Sequence, residues 1–172
     1  HFFVSYYKKN LSYSNLSAII FVRFYLFLMF YKFIKGDTYL NIALMAHDSK
    51  KELMTQFCIA YCGILSRHSL CATGTTGKLV SEATGLTIQR FLSGPQGGDQ
   101  QIASRIACDE IDLLLMFRDP STPKPHEPND ANLLRLCDVH NIPVATNIAT
   151  AEALIHSLAR GDLDWRDIVN PK

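Results

Sequence analysis

Asp99 closes the glycine-rich run Ser93-Gly94-Pro95-Gln96-Gly97-Gly98, and a second loop, Thr73-Gly74-Thr75-Thr76-Gly77, combines three hydroxyls with two glycines. Glycine lets a ligand approach the backbone, and amides at a helix N-terminus favour a bound anion. A carboxylate beside two such loops can move a proton on a phosphorylated molecule. The threonine loop is not a Walker A motif. Only two residues separate Gly74 from Gly77, and Leu79 follows Lys78 where a Ser or Thr is required. Taken alone, the loop reads equally well as a capped helix start. The second run exposes amides around Ser93 and Gly94, and Asp99 can either cap the following helix or face the ligand.

Other chemistry-bearing residues fall beside these loops. Lys51 lies in the first turn of a helix, where a cation opposes the dipole unless something negative, such as phosphate, is bound there. His47 and His126 each read as ordinary structural histidines in isolation, but two histidines in loops on one side of a sheet point to ligand contact. Asp48 and Asp119 are turn and cap residues that also neighbour the site. Cys58, Cys62, Cys71, Cys108 and Cys137 are dispersed, odd in number and without CxxC pairs, so no metal site is expected. A reducing, cytoplasmic compartment fits them.

These residues need a scaffold. From Tyr39 onward apolar periodicity alternates between strand and helix. The strand-like run LNIALMA leads into His47-Asp48-Ser49, with Ser49 as helix N-cap and Leu53, Phe57, Ala60, Tyr61 and Ile64 on the inward face of KKELMTQFCIAYCGIL. SLCAT precedes the threonine loop and the helical stretch KLVSEAT, which Gly85 closes. LTIQRFL precedes the Ser93 to Asp99 run and the helix QQIASRIACDE; IDLLLMF is apolar throughout, as a strand covered on both faces must be. A proline-rich loop with His126, the helix NLLRLCDVH, the short strand IPVAT and a last helix near Thr150 complete the chain. The pattern predicts an α/β fold: three layers, α/β/α, around a mostly parallel, doubly wound sheet of about five strands. Ligands bind such sheets beyond the carboxyl ends of the strands, where all of these polar loops fall.

The first 38 residues read as a hydrophobic extension ahead of a domain spanning 39–172. Leu16 to Ile34 is rich in aromatic and aliphatic side chains, but Arg23 and Lys32 interrupt it. A charge near a bilayer centre costs about 2.5–3.5 kcal/mol, which weakens a spanning helix. Translation from Met29 and a membrane anchor are the two readings of this stretch, and membrane contact is expected only under the second. Of the 172 residues, 17 are basic and 16 acidic, giving a net charge of +1. No bulk field is available to hold nucleic acid, so any anion site must be local.

The segments ALMAHD, CATGTTG, LSGPQGGDQQ, FRDP, PHEPND with LLRLCDVHNIP, and VATNIATA, in that order, resemble the methylglyoxal synthase family over residues 41 to about 155. GPQGGDQQ is the most diagnostic. The resemblance implies a cofactor-independent lyase that converts dihydroxyacetone phosphate to methylglyoxal and phosphate, a glycolytic bypass, in a cytoplasmic homohexamer. It assigns Asp99 as catalytic acid/base, His126 and His47 to the substrate's oxygen-bearing carbons, and Lys51, Thr73, Gly74, Thr75, Thr76, Ser93 and Gly94 to the phosphate. Asp48 and Asp119 shape the site. Asn129 departs from the family's usual aspartate, with Asp130 adjacent, and the ending RGDLDWRDIVNPK lacks the tyrosine of better-known members. An alternative is a non-catalytic domain of the same fold that binds a phosphorylated effector. Such a domain needs the anion loops but has no use for Asp99.

Overall fold

The computed structural model describes residues 22–27, 39–121 and 130–166. His126, Asn129 and most of the N-terminal stretch lie outside the described residues. The chain divides into two compact units, His1–Thr38 and Tyr39–Lys172. In the first unit residues 22–27 are helical and exposed. No helix among the described residues is long and apolar enough to cross a membrane.

In the second unit the strands are β1 (Asn41–Ala46), β2 (Ser69–Ala72), β3 (Ile88–Arg90), β4 (Leu113–Phe117) and β5 (Val144–Ala145). The helices are α1 (Lys51–Ala60), α2 (Cys62–Leu65), α3 (Gly74–Thr84), α4 (Gly98–Ala107), α5 (Asp130–Val139) and α6 (Ile148–Arg160). The five strands form one sheet in the order β3-β2-β1-β4-β5, and every pairing is parallel.

Strand alternation splits the apolar residues between two faces. Ile42, Leu44, Leu113, Leu115 and Phe117 pack with Met54, Phe57, Val80 and Ile155 of α1, α3 and α6. Ala43, Met45, Leu114 and Met116 pack with Ile102, Ile106, Leu133 and Cys137 of α4 and α5. Both faces are therefore covered, which explains why β1 and β4 are apolar at nearly every position. The architecture is the three-layer, doubly wound α/β fold expected from the periodicity.

Local details differ from the sequence-based expectation. Ser49 does not cap α1: a short 3-10 turn, Asp48–Lys50, precedes that helix, and the Ser49 hydroxyl instead donates to Asp119 Oδ2 at 2.7 Å. The helix is rotated so that Met54 and Cys58 join Phe57 inside, while Ala60 is exposed. It also breaks at Tyr61 before α2. Helix α3 starts four residues before KLVSEAT, directly at Gly74, so the threonine loop is itself the first turn of a helix.

Candidate active site

The order β3-β2-β1-β4-β5 reverses direction at β1, and a crevice beyond the carboxyl ends of β1 and β4 follows from that reversal. His47 leaves β1 there. Its backbone N–H donates to Phe117 O at 3.0 Å, and its ring, 6% exposed as a residue, is held at both ends. The Asp119 N–H donates to Nδ1 at 3.1 Å, and Nε2 lies 3.4 Å from Asp130 Oδ1.

Asp119 ties the loop after β4 to the loop after β1. Its carboxylate accepts from the Ser121 hydroxyl at 2.5 Å, the Ser121 N–H at 3.1 Å and the Ser49 hydroxyl at 2.7 Å. Those donors, the Ser121 hydroxyl first and the Ser49 hydroxyl next, hold its carboxyl well below the usual carboxylate range. Asp119 is thus a fixed anion that stitches two loops. Asp48 acts in a related way, accepting from Lys51 Nζ at 2.6 Å and so aiming an ammonium that keeps two further donor hydrogens.

The two glycine-containing loops meet at a single peptide, Leu92–Ser93. Gly74 N–H donates to Leu92 O at 2.9 Å. A Cβ on Gly74 would stand 2.8 Å from Phe91 O and 3.2 Å from Ser93 N. From the other side, a Cβ on Gly98 would stand 1.9 Å from Leu92 O. Neither glycine has a positive φ; each is required because two backbones touch. Gly97, at φ 96°, is the one that needs left-handed backbone, and it serves as N-cap of α4. Gln101 adds a clamp by accepting the Leu92 N–H at 2.8 Å.

This contact joins the starts of α3 and α4. In α3, Gly77 N–H closes on Thr73 O and Gly74 N–H is spent on Leu92, so the Thr75 and Thr76 amides are the donors that helix geometry leaves open. Thr73 and Thr76 are buried, with Thr73 Oγ1 donating to Thr76 Oγ1 at 3.3 Å, whereas Thr75 is exposed. Ser93 Oγ donates to Gln96 Oε1 at 2.8 Å, and Gly94 opens the short turn Gly94–Gln96. Asp99 is the second residue of α4 and follows the tightly packed Gly98. Gly97 holds the cap position, and the Asp99 carboxylate accepts no hydrogen bond among the described residues. The capping alternative for Asp99 is therefore excluded by the backbone.

A family model of the MGS-like domain matches residues 55–146, from within α1 to the end of β5. The chain is 68% identical over 133 residues to the methylglyoxal synthase of Caldicellulosiruptor saccharolyticus, covering 77% of this chain and 94% of that one. To the methylglyoxal synthase of Oceanobacillus iheyensis it is 60% identical over 133 residues, covering 77% and 95%. The chain belongs to the methylglyoxal synthase family.

The crystal structure of methylglyoxal synthase from Elizabethkingia anophelis matches with a TM-score of 0.66 and 44% identity over 68% of this chain and 77% of that one. Of the residues that the methylglyoxal synthase resemblance implies, the structure groups Thr73, Gly74, Thr75, Thr76, Ser93, Gly94 and Asp99 around one peptide. His47, Asp48, Lys51 and Asp119 form a second group at the β1–β4 crevice. Two residues beside that second group escape sequence reasoning in part. Arg118 is legible only as the end of a strand and Asp130 only as the neighbour of Asn129, yet Arg118 Nε donates to Asp130 Oδ2 at 2.6 Å beside His47. Twelve positions separate the two across the proline-rich loop, and no periodicity links them.

Proposed function

We propose that the chain is a methylglyoxal synthase, a carbon–oxygen lyase converting dihydroxyacetone phosphate to methylglyoxal and inorganic phosphate. One observation supports the reading: Gly74 and Gly98 grip the same Leu92–Ser93 peptide, which brings together the two glycine-containing loops and the start of the helix that bears Asp99. Catalysis is assigned to residues 39–172, and residues 1–38 are given no part in it.

The Asp99 carboxylate takes a proton from the hydroxyl-bearing carbon, and the electron pair moves onto the carbonyl oxygen to give an enediolate. His47 and His126 donate to the substrate oxygens, where developing charge is worth several kcal/mol of stabilisation. The enediolate then expels the phosphate with the C–O bonding pair. The Lys51 ammonium, the Thr75 and Thr76 amides and the Ser93–Gly94 loop receive the leaving anion. Ser93 must release Gln96 to donate to it. The remaining enol gains a proton at carbon and loses its hydroxyl proton to become methylglyoxal, and the proton held by Asp99 leaves with the phosphate. Elimination rather than reprotonation requires the breaking C–O bond to stand out of the enediolate plane, overlapping its π system.

A homohexamer in a reducing cytoplasm is the setting we propose. Exposed apolar side chains such as Ile59, Leu79 and Val139 supply surface for self-association, and all five cysteines are free. The full chain incubated with dihydroxyacetone phosphate is expected to release methylglyoxal and phosphate in equal amounts. Phosphate binding without either product would instead favour the effector-domain alternative.

A further inference from the structure

Resting on that reading, we propose that Asp130, clamped by Arg118, is a positioning residue that presents His47 as a neutral donor through Nε2–H.

One partner of the ring has a fixed role. A backbone N–H can only donate, and the Asp119 N–H points at His47 Nδ1 from 3.1 Å. Nδ1 must therefore carry the lone pair, and the proton of the neutral ring sits on Nε2. That nitrogen lies 3.4 Å from Oδ1 and 3.4 Å from Oδ2 of Asp130. The bond is loose and shared between two oxygens, so the Nε2–H is restrained without being fully consumed.

Arg118 explains why the carboxylate stays where it is. Its Nε donates to Asp130 Oδ2 at 2.6 Å, while its own backbone N–H is bound to Thr146 O at 3.1 Å beyond the end of β5. The cation is thereby anchored to the sheet, and the carboxylate is anchored to the cation. The Asp130 side chain is only 12% exposed and that of His47 5%, so neither group is a solvated surface charge. Arg118 balances the Asp130 charge and fixes the position of its carboxylate. Neutral imidazole is the form that donates to a substrate oxygen while leaving the proton abstraction to a separate carboxylate. The ordinary alternative, an acidic residue favouring the N-terminus of α5 and holding a structural ion pair, accounts for Asp130 and Arg118 but not for the ring aimed at them.

Nitrogen NMR on the full chain with 15N-labelled histidine tests this without substrate. His47 is assigned by the signal lost in His47→Gln. The wild type is expected to show one tautomer, with Nδ1 unprotonated and Nε2 protonated. Asp130→Ala should keep that tautomer, which the Asp119 N–H sets, but shift the Nε2–H resonance as its acceptor is lost and lower kcat about tenfold to a hundredfold with KM little changed, the scale of a misplaced catalytic group. Asp130→Asn retains an acceptor oxygen and should restore both the Nε2–H resonance and most of kcat. Asp130→Leu, which fills the space without an acceptor, replaces the alanine variant if that one does not fold. A proton on Nδ1 in the wild type, or an unchanged Nε2–H resonance in both the alanine and leucine variants, overturns the assignment. A wild type inactive on dihydroxyacetone phosphate would overturn the proposed function while leaving the tautomer result interpretable.

Discussion

Leu92 O and Gly98 are so close that one added Cβ would stand 1.9 Å from the oxygen. The obstacle is backbone, with no flexible side-chain end to move aside, so the start of α4 must shift if residue 98 gains a side chain. Asp99 would shift with it. We predict that Gly98→Ala costs roughly 3 kcal/mol, the upper part of the overpacking range, and lowers turnover even in molecules that fold. Urea unfolding and the kcat of the folded fraction check the two effects separately.

At the opposite end of the sheet, Asp112 and Arg166 form a buried pair, 2% and 1% exposed, with Arg166 Nε 3.7 Å from Asp112 Oδ1. Asp112 Oδ2 also accepts the Asn41 N–H at 2.8 Å, fastening the first residue of β1. Removing the acid leaves a buried guanidinium without its counter-charge. Asp112→Ala is expected to lose about 3–5 kcal/mol of stability, and Asp112→Leu combined with Arg166→Met should recover much of it. Equal losses in the single and double variants, measured by urea unfolding, would contradict this assignment.

Asp119 gives a pH signature. Its folded-state carboxyl titrates below the ordinary value because the Ser121 and Ser49 hydroxyls bind the ionised form. The unfolded chain therefore binds a proton first as the solution is acidified. The contribution of Asp119 is fully present above the ordinary carboxylate value and is lost progressively as pH falls from there through the lowered value. Asp119→Asn should melt below the wild type at neutral pH, and the gap in Tm should close in strong acid. A gap that is constant across this range would show that the carboxylate charge is not the cause.

Cysteine reactivity reports on the layers. Burial pushes the Cys58 thiol up to about 12, with nearby Cys62 adding to the shift, and pushes the Cys71 and Cys137 thiols up to about 11. Those three therefore remain thiols at neutral pH and up to about pH 9, where an ordinary cysteine is largely ionised. Cys108 is exposed. A thiol reagent should modify Cys108 in the native protein and reach Cys58, Cys71 and Cys137 only on unfolding, as peptide mass mapping would reveal.

Much of the fold can be read from alternation alone, because the runs LNIALMA and IDLLLMF have almost no polar interruption and each is followed by a polar loop. Helix phase is less legible. Met54 and Cys58 lie inside while Ala60 lies outside, a choice made by packing against Val80 and Ile155 rather than by the apolar count of α1. The site residues are visible as types, but the reason for the glycines is not. Close ligand approach is the expectation, whereas Gly74 and Gly98 are pressed against another loop, a contact between positions with no pattern in common. The same limit hides the Arg118–Asp130 pair and the Ser49 bond to Asp119, which exist only once β1 and β4 are side by side.

If Asp99 moves the substrate proton while the two loops hold the phosphate, chemistry and anion binding must separate in Asp99→Asn, with kcat and inorganic phosphate binding measured on the same preparation. Turnover of dihydroxyacetone phosphate is expected to fall about 10²–10⁴-fold with the phosphate-induced rise in Tm preserved. Turnover equal to the wild type in that variant would remove Asp99 from the reaction.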